Sequence, residues 1–220
     1  AAKIQELFDC AVLELEKSPL KTVSDVAVEE ILLHYDAHKK IEKNIEKIRD
    51  WYPTNISELP ITLGRIICQR ANCWWDSKLR IRYSNFLLYF GLIVFVSIFV
   101  VSFIYKADVA TLTLYLSGLI PLFQFCNREF FEHRDAAKRL DELVCYSEKI
   151  WESALSNIQD YHENKLNSRR LQDEIFEHRS KSPLILDKFY NFFRDQNEVL
   201  MNRTSEILID EAKEKMKKSR

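Results

Sequence analysis

Two uncharged stretches separated by three residues constrain the fold of this chain more than any other feature. Ser84–Tyr105 contains 22 residues without a charge, Val109–Cys126 contains 18, and only Lys106, Ala107 and Asp108 lie between them. A helix of about 20 apolar residues crosses the ~30 Å hydrocarbon core of a bilayer at 1.5 Å per residue. A link of three residues forces two such helices to lie antiparallel. The sequence therefore predicts a transmembrane helical hairpin.

The distribution of charge separates these stretches from the rest of the chain. The 220 residues include 32 Lys and Arg and 33 Asp and Glu, for a net charge of −1, yet Lys106 and Asp108 are the only charged residues between Ser84 and Asn127. A buried hairpin of a soluble protein is the alternative, but such core helices are usually shorter. The near-neutral total also argues against binding to a nucleic-acid polymer, which favours basic surfaces.

Residues that break helices are scarce. The chain contains 3 glycines and 5 prolines, which predicts an almost entirely helical protein. We therefore expect an all-α membrane protein, in which a transmembrane helical hairpin joins cytoplasmic helices to a long cytoplasmic antiparallel helical hairpin. The expected regions are a cytoplasmic helical region (1–63), a juxtamembrane helix rich in Trp and Arg (64–83), the membrane hairpin (84–126, with spans 84–105 and 109–126) and the C-terminal helical hairpin (127–220). Within the first region, Ser24 is expected to cap a helix from Asp25 to about Trp51.

Basic residues flank the two spans unevenly. Five lie in residues 64–83 and four in residues 127–146, whereas the link contains Lys106 alone. Because cytoplasmic flanks carry an excess of Lys and Arg, we expect both flanks in the cytoplasm. Aromatic side chains favour the headgroup region. Four juxtamembrane residues are therefore expected at the membrane interface: Trp74, Trp75, Arg82 and Tyr83.

A heptad stripe follows the second span. Apolar residues recur every seven positions from Phe130 to Ile158, with companions three residues later. The stripe predicts an unbroken helix over residues 127–179, about 80 Å long at 1.5 Å per residue. Ser182-Pro183 would end it, and a second amphipathic helix follows. The stripe either packs within the chain or forms the interface of a homo-oligomer.

The sequence lacks the motifs of common catalytic sites. It contains no Gly-rich phosphate loop, no G-x-S-x-G and no HExxH, so we expect no enzyme, no metal site and no cofactor. One stretch, CQRANCWWDSKLRIRY, instead combines aromatic faces that can stack on a base with guanidinium groups that can bind phosphate. Four polar residues in it are candidate contacts for an anionic signal: Arg70, Asn72, Asp76 and Arg80. Packing against the C-terminal helices is the alternative role.

The second span differs from the first in its polar residues. Thr113, Ser117 and Gln124 fall on one face of a continuous helix. They are candidate pore-lining residues, because a polar face can line a water path. Close packing between helices is the alternative. Pro121, beside Gly118, predicts a kink in this span.

Four segments of the chain resemble one known family. CQRANCWWDSKLRIRY resembles the signature of the SMODS-associated four-transmembrane effector family, and AAKIQELFDCAVLEL, FFEHRDAAKRLDEL and LQDEIFEHRSKSPLILDKFYNFFRDQNE resemble its other segments in order and spacing. These bacterial proteins are regarded as pore-forming effectors of cyclic-nucleotide antiphage systems (CBASS). Because the family has four spans, the resemblance also implies a first membrane hairpin upstream of Ala1.

The resemblance implies a function as well as a fold. It implies a homo-oligomeric effector of the bacterial inner membrane, which opens a pore or disrupts the bilayer when a cytoplasmic cyclic nucleotide second messenger arrives. The expected partners are the lipid bilayer, further copies of the chain and that messenger. A membrane-anchored helical scaffold or sensor without pore activity is the alternative.

Overall fold

The computed structural model describes residues 2–18, 27–39 and 51–218, and all the regular elements in these ranges are helices. The elements are α1 (Ala2–Val12), α2 (Val28–Lys39), a 3-10 helix η1 (Thr54–Glu58), α3 (Ile61–Ile104), α4 (Val109–Gly118), α5 (Ile120–Ser156), α6 (Tyr161–Lys181) and α7 (Asp187–Lys218). The predicted all-α fold is confirmed. Of the helix expected from Asp25 to Trp51, α2 covers much of the first half, and most of the remainder lies outside the described residues.

The juxtamembrane segment and the first span form one helix. α3 contains 44 residues and begins directly after Pro60, which gives it a length of about 66 Å at 1.5 Å per residue. The helical hydrogen bonding continues past Tyr83 and Ser84, where the uncharged stretch begins. The predicted continuity between the Trp-rich segment and the first span is therefore found, and a displacement of one half of α3 must be transmitted to the other.

A tight turn joins the first span to the second. Lys106 adopts a left-handed conformation with φ 51°, and the Ala107 amide donates to the Ser102 carbonyl at 2.9 Å. This is the hydrogen-bond pattern of a Schellman helix end. The Asp108 side chain then accepts from the Thr111 amide at 2.9 Å and caps α4. Local hydrogen bonds thus close both helices of the hairpin within three residues.

The second span is divided into two helices. α3 is long and apolar enough to cross a membrane, and α4 and α5 reach that length together but are bent by 46° at Leu119. Pro121 lies at the start of α5, where its missing amide proton costs no helical hydrogen bond. The predicted kink is present, but it separates two helices rather than bending one.

The predicted unbroken helix over residues 127–179 is wrong. α5 ends at Ser156 and α6 begins at Tyr161. Asp160 accepts from the Glu163 amide at 3.0 Å and caps α6, while the Asn164 side chain donates to the Asn157 carbonyl at 3.1 Å. The chain therefore reverses here, and α6 packs back on α5. Three helices, α5, α6 and α7, replace the expected two-helix hairpin.

The core surrounds the first half of α3. α5, α6 and α7 pack against this half, and the heptad stripe faces it. Five stripe residues are buried within the chain: Ala137, Leu140, Ser147, Trp151 and Ala154. Leu63, Ile67 and Leu171 are 1% exposed or less and complete the same cluster. Of the two roles expected for the stripe, these contacts correspond to packing within the chain.

Candidate functional site

A cavity of about 220 Å³ lies between the first half of α3, α6 and the turn that joins α6 to α7. It combines the residue types that a nucleotide site needs, since three aromatic rings and three basic side chains meet in its walls. The residues that matter for the chemistry are Trp51, Asn72, Trp75, Asp76, Arg80, His178, Arg179 and Tyr190. α3 contributes four of them, at a spacing that repeats its turn.

The aromatic wall is formed by three rings in edge contact. The Trp75 ring lies 4.9 Å from the Tyr190 ring and 6.2 Å from the Trp51 ring, at interplanar angles of 66° and 67°. Edge-to-face geometry of this kind is a favourable arrangement of aromatic quadrupoles. The contacts fix Trp75 against α7, so this side chain has protein neighbours in addition to any role at the membrane interface.

Arg80 joins α3, α5 and the turn between α6 and α7. Its side chain donates to Asp76 at 3.1 Å and to the Pro183 carbonyl at 3.0 Å, and it lies 3.3 Å from Nδ1 of His133. His178 approaches the same Asp76 carboxylate at 3.7 Å. Burial opposes ionisation of Asp76, but the nearby His178 and the charge of Arg80 outweigh it, so its pKa is lowered. Arg80 therefore holds the α6–α7 turn against α3.

His133 lies on α5, just outside the membrane hairpin, and is fully buried. Its ring packs edge-on against Tyr83 at 4.7 Å. Burial, together with the nearby charge of Arg80, lowers the pKa of His133 to about 4. The imidazole is neutral at physiological pH, and Nδ1 is the nitrogen that can accept from Arg80, which assigns the proton to Nε2.

A network of buried polar side chains contacts the residues that line the cavity. Asn72 donates to the Tyr52 hydroxyl at 2.7 Å, and that hydroxyl donates to Asp9 at 3.0 Å. Asp9 also accepts from Arg179 at 2.7 Å and from Gln172 at 3.1 Å. Asp9 is 3% exposed, so its charge depends on these donors. The network ties α1 to the helices that form the cavity.

A second carboxylate of α1 extends this network. Glu6 is 2% exposed and accepts from Arg169 at 2.7 Å and from Gln172 at 2.8 Å. Gln172 is in turn within hydrogen-bond distance of Gln69 on α3, at 3.0 Å. Our sequence analysis did not identify Glu6, Asp9 or their basic partners, because the pairs are about 160 positions apart and no local pattern connects them.

The structure brings together three of the four candidate signal contacts. Asn72, Asp76 and Arg80 line the cavity. Arg70 lies on another face of α3, where it pairs with Glu148 at 2.9 Å and borders a separate small cavity with Trp74. Three of the four residues therefore line one cavity and Arg70 does not, while their role as signal contacts stays a prediction.

The remaining interface candidates contact the start of α7. Arg82 donates to Asn197 at 2.8 Å, and its guanidinium lies over the Phe193 ring at 4.9 Å. The Tyr83 ring lies 5.0 Å from Phe189. Their placement at a membrane interface stays a prediction, and the structure adds that both residues anchor α7 to α3.

The candidate pore-lining residues lie on both sides of the bend. The Thr113 hydroxyl donates to the Val109 carbonyl at 2.8 Å, and the Ser117 hydroxyl donates to the Leu114 carbonyl at 2.9 Å. These groups satisfy themselves within α4 and are exposed. Gln124 belongs to α5 and lines an open groove of about 500 Å³ between α3 and α5. The sequence analysis expected the three residues on one face of a continuous helix. They do not share such a face, because the bend separates Gln124 from Thr113 and Ser117.

The described residues contain no group of three or more His, Cys, Asp and Glu side chains placed to hold a metal ion. All five cysteines are free. Burial raises the pKa of Cys73 to about 12 and that of Cys68 still further. These two thiols are therefore protonated and unreactive, whereas Cys145 is exposed.

Comparison with known families identifies the chain. The model of the SMODS-associating 4TM effector domain matches residues 1–208, so the chain belongs to this family, and the resemblance seen in its motifs is confirmed. No curated protein and no solved structure shows significant similarity to the chain. Together with the membrane-length helix, the family makes this an all-α membrane protein of an effector class.

Proposed function

We propose that the protein is a pore-forming effector of bacterial antiphage defence, which permeabilises the inner membrane when a cytoplasmic cyclic nucleotide binds to it. The observation that carries this proposal is the position of the cavity. Asn72, Trp75, Asp76 and Arg80 belong to α3, the same continuous helix that becomes the first span. A ligand in the cavity would therefore contact the membrane-spanning element directly.

The walls of the cavity suit a base and a phosphate. Trp75 and Tyr190 offer aromatic faces for stacking, and Arg80 and Arg179 offer guanidinium groups. Arg80 already donates to Asp76 and to the Pro183 carbonyl. An incoming phosphate would compete for these donors, since charge-assisted bonds to phosphate are stronger than a bond to a neutral carbonyl. Binding would then loosen the α6–α7 turn from α3.

Opening requires that the ligand bind two conformations with different affinity. The α6–α7 turn forms one wall of the cavity through Ser182 and Pro183. When the turn moves away from α3, Arg80 no longer donates to the Pro183 carbonyl and can bind the phosphate. When the turn stays against α3, this donor is already in use. The difference in affinity between these states would supply the free energy that shifts α3.

A pore requires several copies of the chain. Two spans enclose no aqueous lumen, and side chains of the membrane half of α3 such as Ile93 and Phe103 are 64% and 86% exposed. Lipid or neighbouring subunits must cover these surfaces. We therefore propose a homo-oligomer, in which Thr113 and Ser117, one turn apart on α4, face the axis.

The proposed orientation places both flanks of the hairpin in the cytoplasm, as the basic residues indicate. It can be tested with Ala107→Cys, which adds a thiol to the link between the spans. In intact spheroplasts, an impermeant maleimide should label this thiol and leave Cys145, an exposed thiol of α5, unlabelled until the cells are permeabilised. Labelling of Cys145 alone in intact cells would reverse the orientation.

Dye release from proteoliposomes tests the function. The protein should release dye when cyclic di- or trinucleotides are added. Arg80→Gln removes a phosphate donor and should reduce this nucleotide-dependent release at least tenfold. A tenfold loss of ligand affinity corresponds to about 1.4 kcal/mol. Arg70→Gln is the matched control, because Arg70 lies outside the cavity, and it should retain release. Tyr190→Leu removes one stacking face without removing a charge and should also reduce release.

The alternative outcome defines the competing function. If no cyclic oligonucleotide causes leakage from vesicles that contain the folded protein, the pore proposal fails and a membrane-anchored scaffold or sensor takes its place. If Arg70→Gln and Arg80→Gln release dye equally in response to the same nucleotide, the pore stands but the cavity is not the signal site.

A further inference from the structure

The turn between α6 and α7 exposes large apolar side chains. Leu184 is 83% exposed, Leu186 is 62% exposed and Phe192, in the second turn of α7, is 79% exposed. Single exposed apolar residues are ordinary on protein surfaces. These three differ because they are concentrated within nine positions, and because this segment packs beside the point where the uncharged stretch of α3 begins.

Ring contacts fix the start of α7 at the level where the uncharged stretch begins. The Phe189 ring lies 5.5 Å from the Phe86 ring and 5.0 Å from the Tyr83 ring. Phe86 is the third residue of the first uncharged stretch. Phe192 follows on the outer side of the same helix, with its ring 4.9 Å from Phe193. The exposed Phe192 ring therefore belongs to the helix end that packs beside the entry of α3 into the bilayer.

Polar contacts hold the preceding turn at the same level. The Pro183 carbonyl accepts from Arg80, and Arg82 bonds to Asn197 of α7. Leu184 and Leu186 are thus tied to the last charged turns of α3 before the span. In a membrane protein this is the headgroup region, where apolar and amphipathic side chains enter the boundary between headgroups and acyl chains.

The charges of the segment are compatible with a lipid surface. Lys181 and Lys188 are exposed, and Asp187 is the exposed acidic residue between them. Lys181 also pairs with Glu177 at 2.6 Å. Over residues 181–193 the two lysines and the single aspartate leave one net positive charge. The attraction to anionic headgroups is small, so burial of the apolar side chains must supply most of the binding.

We propose that residues 183–193, which we name the membrane foot, dock into the interfacial layer of the leaflet that α3 enters, with Leu184, Leu186 and Phe192 below the headgroups. Lipid is the occupant that the geometry favours, because Phe189 of the foot contacts Phe86 of the span. The surface of the foot is thereby continuous with a surface that lipid already covers. The inference rests on the membrane span and is independent of pore formation.

Site-specific fluorescence tests the docking. In a Cys145→Ser background, single cysteines at positions 184, 186 and 192 carry the environment-sensitive dye NBD, and the full chain is reconstituted in phosphatidylcholine–phosphatidylglycerol nanodiscs. Matched control sites are Val199 and Ile207, which are 68% and 63% exposed but lie further along α7, away from the span. Lipids with a nitroxide near the headgroup should quench the foot positions at least roughly threefold more than the controls.

The test also distinguishes other occupants of the foot. Equal nitroxide quenching at Leu184, Phe192 and Ile207 would overturn the proposal. Protection of the foot positions from aqueous iodide without nitroxide quenching would overturn it as well, and would point to a second copy or another protein. Strong nitroxide quenching that persists at a protein-to-disc ratio of one would support docking by a single chain.

Discussion

The two halves of α3 are buried to different extents although they belong to one helix. In the first half, consecutive residues from Thr62 to Gln69 are buried, including the charged Arg65. In residues 85–104, only Leu87 and Ser102 are buried. The first half is covered by other parts of the chain. The second half exposes an apolar surface that the bilayer covers, because lipid replaces the protein neighbours that the first half requires.

Polar groups show the same contrast. In the first half, Gln69 donates to the Ser168 carbonyl at 2.8 Å, and Arg65 donates to carbonyls that follow α1. In the membrane half, the Ser97 hydroxyl donates to the Ile93 carbonyl of the same helix, at 2.7 Å. The first half therefore obtains its hydrogen bonds from distant segments, and the membrane half obtains them locally. Stability against unfolding should depend mainly on the first half.

The largest effect is expected from the network behind the cavity. Asp9→Ala leaves Arg179, Gln172 and Tyr52 without their shared acceptor. Breaking a buried ion pair by removing one partner costs about 3–5 kcal/mol. We expect this loss in the free energy of unfolding in detergent, measured by guanidinium titration and tryptophan fluorescence.

Glu16→Ala is the matched control for Asp9→Ala. Its carboxylate also pairs with α6, through Lys165 at 2.7 Å, but its side chain is 84% exposed. Exposed ion pairs contribute little to stability because solvent screens them, so this variant should unfold close to the parent. Equal losses from both variants would show that burial of the network does not determine stability.

Two leucines of the same helix give a second comparison. Leu63 is fully buried in the core around the first half of α3, and Leu92 is 55% exposed in the first span. Leu63→Ala should cost about 2–5 kcal/mol through lost burial and the cavity left behind, whereas Leu92→Ala should cost less than about 1 kcal/mol. The same guanidinium titration measures both. A larger loss for Leu92→Ala would mean that the span packs against protein, most simply another subunit.

Features encoded over short distances could be predicted from the sequence. The uncharged stretches and the scarcity of glycine and proline predicted the all-helical membrane fold, because length and charge determine membrane insertion locally. Asn72, Asp76 and Arg80 follow one another at intervals of four and so share a face of α3. Arg70 is two positions from Asn72, which turns it to another side of the helix.

Features that depend on distant contacts were missed. The other wall of the cavity comes from His178, Arg179 and Tyr190, which are about 100 positions from α3 in sequence. The reversal after Ser156 was missed although a local signal exists. Asp160 and Glu163 have the spacing of a helix-capping box, but the heptad continued through them and suggested an unbroken helix. Periodicity identifies a helix face and does not show where the chain turns back.

The smallest expected effect concerns the junction between the two halves and appears only in acid. The folded protein holds the pKa of His133 at about 4, against about 6.5 in an unfolded chain. Below pH 6.5 the unfolded state binds a proton that the folded state excludes, so stability is complete above this pH and is lost as the pH falls towards 4. Between about pH 7.5 and about pH 5 the loss of stability from this group is about 2 kcal/mol.

The variant His133→Asn keeps an acceptor for Arg80 and removes the titration. Its free energy of unfolding should therefore change between the two pH values by about 2 kcal/mol less than that of the parent. An equal pH dependence in both proteins would show that the folded protein can protonate His133, and that the polar surroundings of the first half of α3 extend further towards the membrane than the burial of His133 indicates.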